Sequence, residues 1–218
     1  MTFPILYSFR RCPYAMRARM ALAYSKQTIE IREIILRKKP GSMLYYSPKG
    51  TVPILVLKSS KRDTRVIEES LEIMIWAIEQ NDPDGWWPEN LTQQDEIKQL
   101  IKLCDDVFKT HLDHYKYADR HPEQSAAHYR QLGEVFLSRL DRRLSKTTYL
   151  CGQYLSLADM AIFPFIRQFA HVDKTWFEKS AYKYLQAWLD QHLKSEIFIA
   201  VMKKYAPWQD VDQTILFP

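Results

Sequence analysis

One segment governs what this chain can fold into. Asn81–Thr92 (NDPDGWWPENLT) carries two prolines and the only glycine between residues 51 and 132, so a helix cannot run through it. Before it, short apolar stretches alternate with helical ones. After it, strand signals vanish and helical periodicity alone remains. We read residues 1–80 as an α/β domain, 81–92 as a linker and 93–218 as an all-helical domain. A chain of 218 residues is long enough for two small domains.

Within the first eighty residues the elements follow one another closely. Pro4–Ser8 is a short apolar strand, ended by Arg10 and Arg11. Pro13–Lys26 is rich in Ala, Met and Leu, and Pro13 suits the first helical position, where its missing N–H costs nothing. Thr28–Leu36 alternates apolar and charged residues, the period of a half-buried strand. Ser42–Tyr46 amounts to a helical turn. Val52–Leu57 and Thr64–Ile67 flank the turn Ser59–Asp63 and read as a hairpin. Ser70–Gln80 returns to helical period. The order β-α-β-α-β-β-α starts with a right-handed parallel crossover and ends in an antiparallel hairpin, so the sheet is mixed. In the back half, helices are expected near 93–118, 123–146, 156–171, 180–193 and 195–204.

Hydrophobic residues at 46% and charged residues at 26% describe a globular chain, not a disordered one. Cys12, Cys104 and Cys151 are too few, and odd in number, for a disulfide framework. With no signal-peptide pattern in MTFPILYSFRRC and no apolar run of membrane-spanning length, a cytoplasmic location is expected and the Asn90-Leu91-Thr92 sequon is silent. The net charge of +5 is uneven: residues 1–80 hold 14 Lys/Arg against 7 Asp/Glu, the rest 17 against 19. A basic front half is open to three readings: a nucleic-acid surface, a site for a small anion, or a solvated face.

Arg11-Cys12-Pro13-Tyr14-Ala15 is the sharpest chemical signal. It places a cysteine after a strand and at the start of a helix, where the dipole and free N–H groups favour a thiolate, with Arg10, Arg11 and Arg17 nearby. A thiolate is the nucleophile of disulfide exchange. Position 15 is alanine, so the motif has no resolving cysteine, and Cys12 could only form a mixed disulfide that a second, external thiol clears. Gly50-Thr51-Val52-Pro53 precedes the hairpin; an X-Pro bond there can be cis and leave the Val52 backbone open to an extended peptide-like ligand. In Glu68-Glu69-Ser70, Ser70 reads as a helix N-cap whose hydroxyl and neighbouring N–H groups suit a ligand carboxylate, and Glu69 could meet a ligand ammonium.

In this order, the Cys-Pro-Tyr-Ala turn, the Thr-Val-Pro step and the Glu-Ser pair resemble the cytosolic glutathione transferases, over nearly the whole chain. The cysteine turn and Leu36-Arg37-Lys38-Lys39-Pro40 resemble the omega class, with Tyr14 where omega members have phenylalanine. The resemblance implies a thioredoxin-like domain followed by an all-helical one, and a homodimer. It implies glutathione as cosubstrate and no metal. By position it gives Cys12 as the residue that bonds glutathione sulfur, with Tyr14, Leu36, Lys39, Val52, Pro53, Glu69 and Ser70 around the tripeptide. The implied reaction is glutathione-dependent thiol transfer or reduction, on a disulfide or electrophile the motifs do not name, with no nucleic acid or membrane partner.

Two rival readings stand beside it. In other transferase classes a strand-one Tyr or Ser hydroxyl serves the thiolate, and Tyr7 and Ser8 occupy that region. Some proteins of this architecture are regulators that bind a protein such as RNA polymerase, which the basic front half could also serve. In the helical half, Ser156-Leu157-Ala158-Asp159 is a capping box and is assigned to folding. His111 and His114 are read as solvated. Phe108, His111, Tyr115 and Tyr117 form either a cleft wall or core.

Overall fold

The computed structural model describes residues 3–58, 64–209 and 213–218. The expected turn at Ser59–Asp63 lies outside the described residues. The chain divides into two compact units, one of Met1–Asp84 with Ser195–Pro218 and one of Gly85–Lys194.

The first unit opens with β1 (Ile5–Ser8), α1 (Pro13–Tyr24), β2 (Ile29–Glu33), α2 (Gly41–Tyr46), β3 (Ile54–Lys58), β4 (Thr64–Ile67) and α3 (Ser70–Gln80). Strand β1 runs parallel to β2, with Leu6 opposite Ile31, and antiparallel to β3, with Leu6 opposite Leu55. The hairpin adds β4 to β3. Alternation along the strands sends Ile5, Tyr7, Ile54 and Val56 to one face, where they pack with Ile34 and Met43 of the α2 side. Pro13 does open α1.

The second unit is helical: α4 (Leu91–Leu103), a π-helical stretch at Cys104–Phe108, α5 (Lys109–Lys116), α6 (Ala126–Leu144), α7 (Leu157–Ala170), α8 (Lys174–Lys179) and α9 (Lys183–Leu193). Asn90, Ser125 and Asp173 cap α4, α6 and α8 by accepting backbone N–H groups. Phe108 and Tyr115 are core: both are buried, Phe108 against Phe136 and Phe169, Tyr115 against Phe169. Gly133 makes room for that cluster, since a Cβ there would lie 2.5 Å from the Phe169 ring. Asp159, inside the capping box of α7, is fully buried and accepts from the Leu150 and Ser156 N–H groups, the Ser156 hydroxyl and the Trp188 indole, at 2.8–3.0 Å.

His192 is buried on α9 between Phe163 and Trp188. Burial pushes its imidazole from 6.5 down to about 4. The unfolded chain therefore takes up a proton below pH 6.5 that the folded chain refuses until about pH 4. Stability attributable to this group is complete above pH 6.5 and falls as the pH drops through that window. By linkage, the loss is about 2 kcal/mol by pH 4.5. Urea titrations at pH 7.5 and 4.5 should show His192→Gln losing less stability between the two pH values than the parent. Equal losses would refute the assignment.

The last 24 residues correct the expected 93–218 helical domain. Helix α10 (Glu196–Val201) ends three residues before the expected 204, and it and the segment after it belong to the first unit. The Trp208 N–H donates to the Glu33 carbonyl at 2.7 Å, and β5 (Leu216–Phe217) pairs antiparallel with β2. The sheet thus has five strands in the order β4-β3-β1-β2-β5. Two residues carry no readable period, so only the open edge of β2 selects this strand.

Candidate active site

Cys12 is the residue that starts α1. Its backbone is extended (φ −75°, ψ 124°), its N–H donates to the Phe9 carbonyl at 3.0 Å, and its carbonyl accepts from Met16 at 2.9 Å. The thiol is half-buried and points to the Val52 carbonyl, with Sγ 3.7 Å from that oxygen. The fold therefore joins two motifs 40 residues apart. The Val52–Pro53 bond is cis. The aliphatic stem of Lys39 lies against Gly50, two residues before Val52: a Cβ on Gly50, which holds φ +64°, would meet it at 3.4 Å. Leu36 is exposed and lines a cavity next to the Phe9–Arg11 turn.

Ser70 differs from the expectation. Helix α3 begins at Ser70, and Glu69 (φ −96°, ψ 128°) takes the capping position, because Ile73 already donates to the Glu69 carbonyl. No side-chain cap is made. The Ser70 hydroxyl instead accepts from the Arg17 guanidinium at 3.0 Å. Arg17 is buried and stacks on the Tyr14 ring at 5.1 Å, so α1 delivers both residues to the start of α3. The Glu69 carboxylate pairs with Lys49, and Glu68 accepts from Ser47. The first three N–H groups of α3 have no intrahelical acceptor.

Tyr7 and Ser8 are both fully buried. The Tyr7 hydroxyl accepts from Arg32 at 2.6 Å and donates to Ser42 at 3.1 Å. The Ser8 hydroxyl has no partner among the described residues. Of the other cysteines, Cys104 is fully buried, and burial with the Asp159 and Glu96 carboxylates pushes the Cys151 thiol up to about 12.

Sequence reasoning missed Arg19 and Glu33. The Glu33 carboxylate accepts the Arg10 N–H at 2.6 Å, and the Arg19 guanidinium donates to the Arg10 carbonyl at 2.8 Å. Both backbone groups of Arg10, two residues before Cys12, are thus held by side chains. Arg19 is fully buried, and desolvation lowers it to about 10 against the pull of Glu33, so it stays charged at neutral pH. Glu33 falls on the same face of the alternating strand as Ile29 and Ile31, an acid at a buried position. The visible signals are that acid at an apolar strand position and the charge between Ala18 and Met20 on an apolar helix.

This geometry coincides with a family pattern at both ends of the chain. A family model described as the N-terminal domain of glutathione S-transferase matches residues 6–85, and one described as its C-terminal domain matches residues 123–191. The chain belongs to the glutathione S-transferase family. Glutathione S-transferase omega-1 of Sus scrofa is 24% identical over 201 residues, 91% of this chain and 76% of that protein. A glutathione transferase family member from Pseudomonas fluorescens, solved with two glutathione bound, superposes with a TM-score of 0.78 at 16% identity and covers 92% of both chains. Omega 2C from Trametes versicolor superposes at 0.73 and 17% identity, covering 92% of this chain and 93% of that one. Omega-class proteins thus stand among both the similar curated proteins and the similar solved structures. Among the described residues no cluster of His, Cys, Asp and Glu could hold a metal ion, and no helix is long and apolar enough to cross a membrane.

Proposed function

We propose that this transferase moves a glutathionyl group through Cys12, by thiol–disulfide exchange and not by conjugation. The observation that carries the reading is the placement of Cys12 at the N-terminus of the 12-residue α1, half-exposed and beside the Val52 backbone. That position offers the N-terminal partial charge of a helix to a thiolate. The Cys12 thiolate attacks the glutathione sulfur of a mixed disulfide. A Cys12–glutathione S–S bond forms, the old S–S bond breaks, and the departing thiolate takes a proton. A second glutathione then attacks the bound glutathione sulfur, releasing glutathione disulfide and restoring the Cys12 thiolate. With alanine at position 15, no internal thiol competes for that second step.

For the tripeptide, the free N–H groups of α3 with the Arg17–Ser70 pair suit one carboxylate, in a corner already carrying a buried positive charge. Glu69 is exposed and, on releasing Lys49, offers its carboxylate to the ligand ammonium. Val52 supplies backbone groups to the cysteinyl segment, Pro53 sets the entry to β3, and Lys39 and Leu36 flank the glycyl end. Tyr14 holds Arg17 over the face of its ring. Tyr7 is a weaker candidate for the thiolate's partner, because Arg32 and Ser42 already engage its hydroxyl.

The test is the intermediate itself. After incubation with glutathione disulfide, intact-mass analysis and peptide mapping should find one glutathionyl adduct, on the peptide holding Cys12, and fresh glutathione should remove it. Adducts confined to other peptides would sink the reading.

A further inference from the structure

The first unit holds a cavity of about 590 Å³, a volume in the range of small-molecule sites. One wall is the Phe9–Arg11 turn that leads directly into Cys12; the others come from the residues after β2 and from the tail after α10. Four cationic side chains line it: Arg10, Arg11, Arg37 and Lys204. Glu33 is the one acid among the lining residues, and it is turned away: one oxygen accepts the Arg10 N–H, and the other lies 3.8 Å from the buried Arg19. Among the described residues, none of the four cations forms an ion pair with a carboxylate. Arg11 is held over the Phe9 ring, 5.4 Å from its centre, and Tyr205 adds a second aromatic wall.

Four positive charges and one acid around a cavity whose wall ends one residue before Cys12 leave a net positive site that favours anions and repels cations. We infer that this cavity, which shares its Leu36 wall with the glycyl end of the glutathione site, seats the non-glutathione half of the mixed disulfide and selects small thiols carrying two acidic groups. The inference rests on the thiol-transfer reading above and names its substrate class. In the step it serves, Cys12 sulfur bonds the glutathione sulfur, the S–S bond to the acidic thiol breaks, and that thiol leaves as a thiolate and is then protonated. The cavity's positive charge also favours the thiolate as it departs. The tail supplies Lys204 and so shares in the selection.

Three mixed disulfides of glutathione separate the possibilities: with mercaptosuccinate (two carboxylates), mercaptoethanol (neutral) and cysteamine (cationic). Values of kcat/KM should fall in that order, with about tenfold or more between the first and second at low salt, shrinking as salt is raised. The double variant Arg37→Glu, Lys204→Glu should collapse or invert the dianion-to-neutral ratio. Equal kcat/KM for all three substrates, or a ratio the variant does not move, would overturn the inference while leaving thiol transfer standing. Calorimetry with S-methyl mercaptosuccinate, which cannot exchange, reads the cavity without chemistry. Binding that weakens about tenfold or more in the double variant supports the cavity even if no disulfide turns over, in which case only the thiol-transfer reading fails. No binding together with no turnover would overturn both.

Discussion

Cys12→Ser should lower thiol transfer by at least about a thousandfold, the scale on which removing a nucleophile acts. A hydroxyl cannot form the S–S intermediate, so no smaller loss is consistent with the proposed route. The substitution is gentle on the fold. Serine is itself a favoured helix-capping residue, and Cys12 makes no side-chain cap to lose. An unchanged melting temperature is therefore expected alongside the lost activity. The same variant separates the hydroxyl reading: conjugation that is retained or raised would point to Tyr7 or Ser8. Alkylation with iodoacetamide near pH 7 should label one thiol quickly in the parent and none in the variant. Cys104 is fully buried and Cys151 stays protonated until about 12, so neither competes. Two fast thiols in the parent would contradict this account.

The largest effect on stability is expected at Asp159. Its carboxylate takes four hydrogen bonds from three separate segments: the Leu150 loop, the start of α7 and Trp188 on α9. Burial pushes its carboxyl up while these donors pull it down. Asp159→Ala leaves the Leu150 and Ser156 N–H groups and the Trp188 indole buried without an acceptor. Each such orphan costs on the order of 1–3 kcal/mol, and partial relaxation brings the expected total to about 4 kcal/mol. Asp159→Asn keeps one acceptor oxygen and should fall between the parent and alanine. Denaturant midpoints for the three proteins give the ranking. A loss below about 1 kcal/mol for alanine would mean water replaces the carboxylate and the network is dispensable.

Where sequence reading succeeded, the signal was local. Pro13 at a helix start, the alternation in Ile29–Glu33 and the Pro/Gly cluster around Gly85 each act within a few residues of themselves. The cysteine turn was legible for the same reason. What escaped depends on partners far along the chain. Ser70 looked like a cap because its hydroxyl's true partner, Arg17, lies 53 residues away. Glu33 stands on the apolar parity of its strand, but its partner Arg19 lies on another element, 14 residues away in the chain, and alternation alone does not name it. Helix α8 is only six residues long, too short to show a period, and the π-helical stretch at Cys104–Phe108 has no composition of its own. The basic excess of the front half kept three explanations open, because charge counts do not say which carboxylates are already engaged.

The return of the tail to the sheet has a consequence for synthesis on the ribosome. Domains of a nascent chain ordinarily mature in the order they emerge. Here the first unit begins to appear first, yet its fifth strand follows the entire helical unit. The helical unit can therefore close while the first still presents a bare β2 edge. That edge is the exposed template a chaperone would shield during translation, and Leu216–Phe217 is the segment whose arrival ends the need for it.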